Sequence, residues 1–386
     1  MTSGGRIVVV GAGIGGLSAA IALRRAGFEA EVYERAEALR PVGAGLTIQP
    51  NAVLALRRLG VGEALEKTGA HLRAGELWRS DGQRLTRLTR EDSDALTREA
   101  GAPLVGIHRA TLHELLVEAL GRERLHLGRT CTGYAQDGTR VTARFSDGGD
   151  EACDVLVGAD GLRSAVRAQV LGDGEPVYAG YTCWRGIAPT LCGVEPGFGG
   201  EGWGPTARFG GCTIDGGRFY WFAVADAPQG AKDPPDGAKA FLTELYRDWA
   251  SPVPELLAAT PEEAIFRADI CDRPPVERWG EGRVTLLGDA AHAMTPNLGQ
   301  GACQAIEDAL VLGDSLARGG ELTACLRAYE NLRIPRANAV VTAARRLGAV
   351  AHWHNPVAIW LRDHALRWTP SSAIARQLLD AWKLPY

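Results

Sequence analysis

VVVGAGIGGLSAA, residues 8–20, is the stretch whose reading decides the fold. Residues 7–10 are β-branched and apolar, as a parallel strand buried on both faces should be. Four glycines follow within six residues: Gly11, Gly13, Gly15 and Gly16. They rule out one continuous apolar helix, so neither a membrane span nor a signal peptide fits the uncharged run from Ile7 to Leu23. A strand, a tight turn and a helix from Ile14 to Ala26 fit it better. EAEVYER (residues 29–35) reads as a second strand ending at Glu34, with Arg35 beside it. Gly11-x-Gly13-x-x-Gly16 between strand and helix lets backbone approach a pyrophosphate at the helix N-terminus. Glu34 lies 18 residues after Gly16, where a carboxylate can accept from both hydroxyls of an adenosine ribose. The expectation is a dinucleotide site using Gly11, Gly13, Ile14, Gly15, Gly16, Glu34 and Arg35, with FAD and NAD both open at this point.

A second glycine-bearing turn, GDAAHAMTPNLGQGACQAIED (residues 288–308), comes far downstream. It follows the strand-like VTLL, ends that strand at Gly288-Asp289, passes Pro296 and leads into a helix from about Gly299. A carboxylate at a strand end so far along the chain can hold another part of the same ligand, and only a long ligand needs both turns. FAD is long enough. Asp289 would hold a ribityl hydroxyl, and the helix would aim its positive end at the flavin ring. Gly299 and Gly301, flanking Gln300, would keep side chains off that ring. The helix is expected to be amphipathic, with Cys303, Ile306, Leu310 and Ala317 inside and Glu307, Asp308 and Asp314 off that face.

Working outward, 386 residues suggest two or three units sharing a core. The expected class is α/β: a Rossmann-like nucleotide-binding domain (1–74, 100–172 and 280–345), an inserted, mostly antiparallel β-sheet substrate domain (75–99 and 173–279), and C-terminal helices (346–386). A net charge of −4 gives no reason to expect a nucleic-acid partner. The eight cysteines are scattered without metal-ligand spacing, which reads as reduced thiols, no metal and a cytoplasmic setting. His352-Trp353-His354 does not suggest a metal site, since His at i and i+2 of a helix point apart. Trp360, Trp368 and Trp382 fit a packed terminal helix pair better than a membrane face.

Three marks in order, GAGIGG with Glu34, GADGLRSAVR (158–167) and GDAAHAMTPNLGQG (288–301), resemble single-component FAD-dependent monooxygenases with the fold of para-hydroxybenzoate hydroxylase. The resemblance implies FAD as cofactor, NADPH or NADH as transient reductant, and dioxygen as co-substrate. It implies a flavin hydroperoxide whose distal oxygen passes to a small molecule. By position it gives Asp160-Gly161 contacts with flavin and nicotinamide, Gly288-Asp289 the ribityl chain, and Arg109 in IHRATLHELL the ribityl and phosphate region. Residues 146–161 and 173–279 would roof the site.

Substrate clues lie in YAGYTCWRGI (178–187) and RFGGCTIDGGRFYWFAVA (208–225). Strand alternation puts Tyr220 and Phe222 on one face, Phe219 and Trp221 on the other. The pair Arg208 and Tyr220 resembles the substrate-contacting pair of flavin-dependent urate hydroxylases, and with Pro296 forms the candidate catalytic set. GYTCWRGIA also resembles zeaxanthin epoxidases, which oxidise an alkene. A small aromatic or heteroaromatic substrate is expected. An isoprenoid alkene, or a flavin oxidoreductase without oxygen insertion, is the alternative. A monomer or homodimer is expected.

Overall fold

Strand Gly4–Val10 lies inside a six-stranded sheet, fully buried from Ile7 to Val9. In the computed structural model, which describes residues 4–39 and 43–386, it pairs in parallel with Phe28–Tyr33 on one side and Val155–Gly158 on the other. Val284–Leu286 adds to Val155–Gly158, also in parallel. The three glycine- or aspartate-bearing turns of the sequence therefore all leave the carboxyl edge of one sheet, where open α/β sheets bind ligands.

Small residues bring two helices onto this edge. Helix Ile14–Arg25 packs against helix Gly301–Ala317. A Cβ on Gly15 would meet Ala305 Cβ at 3.0 Å, and one on Gly313 would meet Ala22 Cβ at 2.9 Å. The long helix Leu322–Ala351 packs behind Gly301–Ala317.

The second sheet has seven strands, antiparallel except where Phe198–Trp203 runs parallel to Ala74–Arg79. One face packs on helices Ala238–Leu245 and Val253–Ala259 through Trp184, Phe209, Phe219, Trp221 and Tyr246. Complete burial of such side chains stabilises by roughly 1.5–3 kcal/mol each. The other face carries Tyr220 and Phe222 toward a cavity, as the alternation implied. A small sheet of Gly45–Ile48, Leu104–His108 and Ala70–Leu72 joins the halves. A Cβ on its Gly106 would meet Thr213 O at 2.1 Å, so only glycine lets the two backbones touch.

Three expectations need correction. Helix Gly301–Ala317 starts two residues after Gly299 and is buried nearly all round; Glu307 and Asp308 are each 0% exposed. Buried Arg333 and half-buried Arg336 balance the charge that periodicity assigned to solvent. The sheet Cys131–Gln136, Val141–Phe145 and Glu151–Cys153 packs beside the first sheet and helix Ala165–Leu171, and of residues 146–161 only Ala159 and Gly161 reach the cavity. The C-terminal tryptophans also divide: Trp382 is buried, whereas Trp360 and Trp368 are exposed. Among the described residues no helix is long and apolar enough to cross a membrane.

Candidate active site

The first glycine turn is held by backbone contacts that exclude side chains. Gly11 adopts φ +102° and donates its N–H to Tyr33 O at 2.8 Å. A Cβ on Gly16 would lie 1.9 Å from Gly11 O, whereas one on Gly13 would meet nothing within 4 Å. Gly11 and Gly16 are thus needed for the turn itself, and Gly13 leaves an open approach for a ligand. Helix Ile14–Arg25 has neither a side-chain cap nor an acid in its first turn, so its leading N–H groups are free to meet an anion. The Glu34 carboxylate accepts from Ala12 N at 2.8 Å and Ala36 N at 2.9 Å. A carboxylate has about four lone-pair sites, so two hydroxyls can still be accepted. His113, which sequence reasoning missed, bonds Ala12 O through Nε2 at 2.6 Å. Arg35 is exposed and does not line the cavity.

The second turn faces the first. Gly288 has φ +62° and donates its N–H to the Asp308 carboxylate at 3.0 Å. Asp289 is exposed to the open cavity, although protein atoms crowd around its carboxyl. Burial pushes its carboxyl up, and His292 and Arg109 oppose that rise. Arg109 opens helix Arg109–Leu120, lines the cavity and donates its N–H to Ala44 O at 2.9 Å. Gly299 takes φ +63° after the turn Pro296–Leu298. Helix Gly301–Ala317 has no side-chain cap and no acid in its first turn, and Gln300, Gly301 and Ala302 border the cavity. The Gln300 side chain is fixed by Gln49, Asn51 and Gln304. Asp160 behaves differently: its carboxylate accepts from Ser164 Oγ and from Ala165 N at 2.7 Å, capping helix Ala165–Leu171. Burial still pushes that carboxyl up. Gly161, at φ +82° with open space beside it, is the part of the motif that borders the cavity.

Behind Gly288 lies a buried ionic cluster that the sequence reading did not identify. Arg333 donates to Glu307 at 2.5 Å and to Asp308 at 2.7 Å; all three side chains are 0% exposed. Burial works against the Asp308 carboxylate, but His292, at 2.6 Å, and Arg333 hold it down at about 2. Asn51 and Arg336 also donate to Glu307. The available signal was an adjacent acid pair in an apolar helix together with the arginines of the next one, Arg333 and Arg336 among them.

The opposite wall comes from the seven-stranded sheet. Arg208, 3% exposed, donates to Glu201 at 3.0 Å and to Asn297 Oδ1 at 2.8 Å. Asn297 in turn donates to the Tyr181 hydroxyl at 2.9 Å. Tyr220 packs on Gly45, where a Cβ would sit 2.4 Å from its ring; burial pushes the phenol far up, although Arg185 opposes it. Arg185 also faces the cavity and was not singled out from the sequence. Leu77, Phe222, Phe266, Ile374, Leu378 and Trp382 complete an apolar lining. His352 and His354 lie beyond the helix end: His352 stacks on Tyr181 at 4.2 Å, and His354 meets Asp226 at 2.9 Å.

One cavity of about 1020 Å³ thus receives Gly13, Ile14, Gly15, Arg109, Gly161, Gly288, Asp289, Pro296, Gly299, Gln300 and Gly301 together with Arg208 and Tyr220. Gly11, Gly16, Glu34 and Asp160 support its rim from behind. The open approach at Gly13, the uncapped helices and Asp289 fit an extended dinucleotide.

Known proteins resemble this chain along most of its length. The model of the FAD binding domain family matches residues 6–187 and 201–344. The chain is 43% identical over 374 residues to the aurachin C monooxygenase/isomerase of Stigmatella aurantiaca, covering 97% of each. It is 37% identical over 355 residues to the FAD-dependent urate hydroxylase of Klebsiella pneumoniae, covering 90% of each. A solved structure of Klebsiella pneumoniae HpxO with FAD and uric acid gives a TM-score of 0.92 at 33% identity, covering 98% of this chain and 96% of that one. The chain belongs to the FAD binding domain family and is a flavoprotein monooxygenase of the para-hydroxybenzoate hydroxylase type.

Proposed function

We propose that the enzyme uses NADH or NADPH and dioxygen to hydroxylate a small aromatic or heteroaromatic substrate bound against the seven-stranded sheet. The observation that carries this is the continuity of the cavity, whose volume exceeds what one drug-sized ligand needs and whose lining changes from glycine turns to an aromatic wall. FAD, when bound, supplies two-electron redox and oxygen-transfer chemistry. Glu34 would accept from the adenosine ribose, the N–H groups after Gly13 would meet the pyrophosphate, and Asp289 and Arg109 would hold the ribityl region. The uncapped end of helix Gly301–Ala317 would favour negative charge on the ring.

On the substrate side, Arg208 cannot swing freely, because Glu201 and Asn297 hold it. It orients rather than chases a ligand. Tyr220 stays a neutral phenol, so it can donate to a substrate oxygen. Pro296 shapes the turn between substrate and cofactor. The apolar lining excludes water, which protects a reactive oxygen donor from wasteful decay. The reductant would dock transiently at this cavity, and the enzyme would work as a cytoplasmic monomer or homodimer.

Purified enzyme loaded with FAD is expected to oxidise NAD(P)H faster with a substrate drawn from urate, aurachin C, phenolic acids or quinolones, and to place one ¹⁸O from labelled dioxygen in the product. Product free of label would favour the oxidoreductase reading. Labelled epoxide from an isoprenoid alkene, with no reaction on any aromatic, would favour the epoxidase.

A further inference from the structure

Arg185 sits on strand Val177–Ala188, between register partners Phe222 and Phe266, which also line the cavity. Strand alternation sends its neighbour Trp184 into the helix-covered core and Arg185 to the opposite face. The other arginines on the cavity wall are answered: Arg208 by Glu201, Arg336 by Glu307, and Arg109 by the field of Asp289. Arg185 is not. Among the described residues no carboxylate lies within 4.0 Å of its guanidinium, and the ionisable groups that act on it are Cys183 and Tyr220. Burial pushes both the Cys183 thiol and the Tyr220 phenol up, so neither supplies an anion near neutral pH. Arg185 is half-buried and presents an unpaired guanidinium to the cavity, where an arriving anion would meet it.

We propose that Arg185 sets the charge preference of the site, which takes an aromatic ring bearing one ionised oxygen and binds that oxygen between the guanidinium and the Tyr220 hydroxyl. This builds on the reading of the sheet wall as the substrate side and adds the chemical class. The planar fork of arginine matches a carboxylate, and it also suits a single phenolate or enolate oxygen. The surrounding leucines and phenylalanines suit an apolar remainder. An ionised ring oxygen would also enrich the ring in electron density, the property an electrophilic oxygen transfer requires.

The test needs no turnover. The FAD-loaded enzyme is titrated with quinoline-2-carboxylate and with quinoline-2-carboxamide, and binding is read from the visible flavin spectrum. The wild type is expected to bind the carboxylate about ten- to a hundredfold more tightly. R185Q should bring that ratio to about one by weakening the carboxylate alone, and R185K should keep part of the preference. Both variants must retain FAD and the wild-type thermal midpoint, so that a lost ratio reports charge rather than folding. The proposal is overturned if R185Q keeps the preference, if R208Q alone abolishes it, or if the wild type favours the amide or fails to bind the carboxylate. Binding is read without oxygen insertion, so a failure of the hydroxylase reading and a failure of the charge preference give different results.

Discussion

On one side of the cavity a ligand meets mostly backbone; on the other it meets side chains. The wall proposed for the cofactor is made of glycine turns and helix ends, at Gly13, Gly161, Gly288 and Gly301, braced from behind by Arg333, Glu307 and Asp308. The wall proposed for the substrate is made of Arg185, Arg208, Tyr220 and Phe222 standing on a sheet whose opposite face holds the core. Backbone sites are rigid and tolerate few residue types. A side-chain wall can be repainted while the sheet beneath it stays folded. On the proposed reading the first wall answers to the cofactor and the second to the substrate.

The sharpest way to break this contrast is at Arg333. R333M removes the cation shared by Glu307 and Asp308, leaving only Arg336 on the first and His292 beside the second, which should cost about 3–5 kcal/mol of stability. It should also release FAD, because Asp308 holds Gly288 N. Urea midpoints and flavin content measure both losses. A variant with a wild-type midpoint and full flavin would show that the cluster does not support the turn.

Two of the four glycines of the first turn refine the point. G16A forces a Cβ into Gly11 O, so both stability and FAD retention should fall, by about 1–3 kcal/mol in stability. G13A meets no protein atom, so its unfolding midpoint should stay within about 0.5 kcal/mol of wild type. Its FAD affinity should nevertheless fall, since the added methyl occupies the ligand's approach. Equal behaviour of the two variants would mean that Gly13 is a folding residue and not a contact. On the wall, Y220F should leave FAD and folding alone and weaken substrate binding by the value of one hydrogen bond, about 0.5–1.5 kcal/mol. A lost flavin in Y220F would blur the division between the walls.

The same division explains what could be read from the chain. The turns at Gly11–Gly16 and Gly288–Gly301 were legible because a local backbone conformation demands glycine at fixed spacing. Tyr220 and Phe222 were placed on one face by a period of two, which is also local. Arg333 pairing with Glu307 and Asp308 was not legible, because helical periodicity assigns acids to solvent and a partner 25 residues away lies outside any window. Asp160 matched a motif, yet its carboxylate went to the nearest free helix end at Ala165. Arg185 stood in a quoted stretch but stayed unnoticed. Its meaning lies in the absence of a counter-charge, which is a property of the assembled cavity.

His352 offers the smallest test, and it links the wall to the C-terminal helices. Burial, aided by Arg208, lowers its imidazole to about 4, with the Gly348 carbonyl and Asp226 opposing and His354 adding to the fall. Unfolded histidine titrates near 6.5. Between those values the unfolded chain holds more protons, so stability present above about pH 6.5 is lost as the pH falls toward 4. From pH 7 to pH 6 the loss should be roughly 0.5–1 kcal/mol. His352 stacks on Tyr181, which accepts from Asn297, which holds Arg208. H352F keeps an aromatic ring on Tyr181 and removes the titration, so its thermal midpoint should fall less than that of the wild type over this range. If both proteins lose stability equally, another group carries the acid sensitivity, and the helical end is not coupled to the substrate wall through this ring.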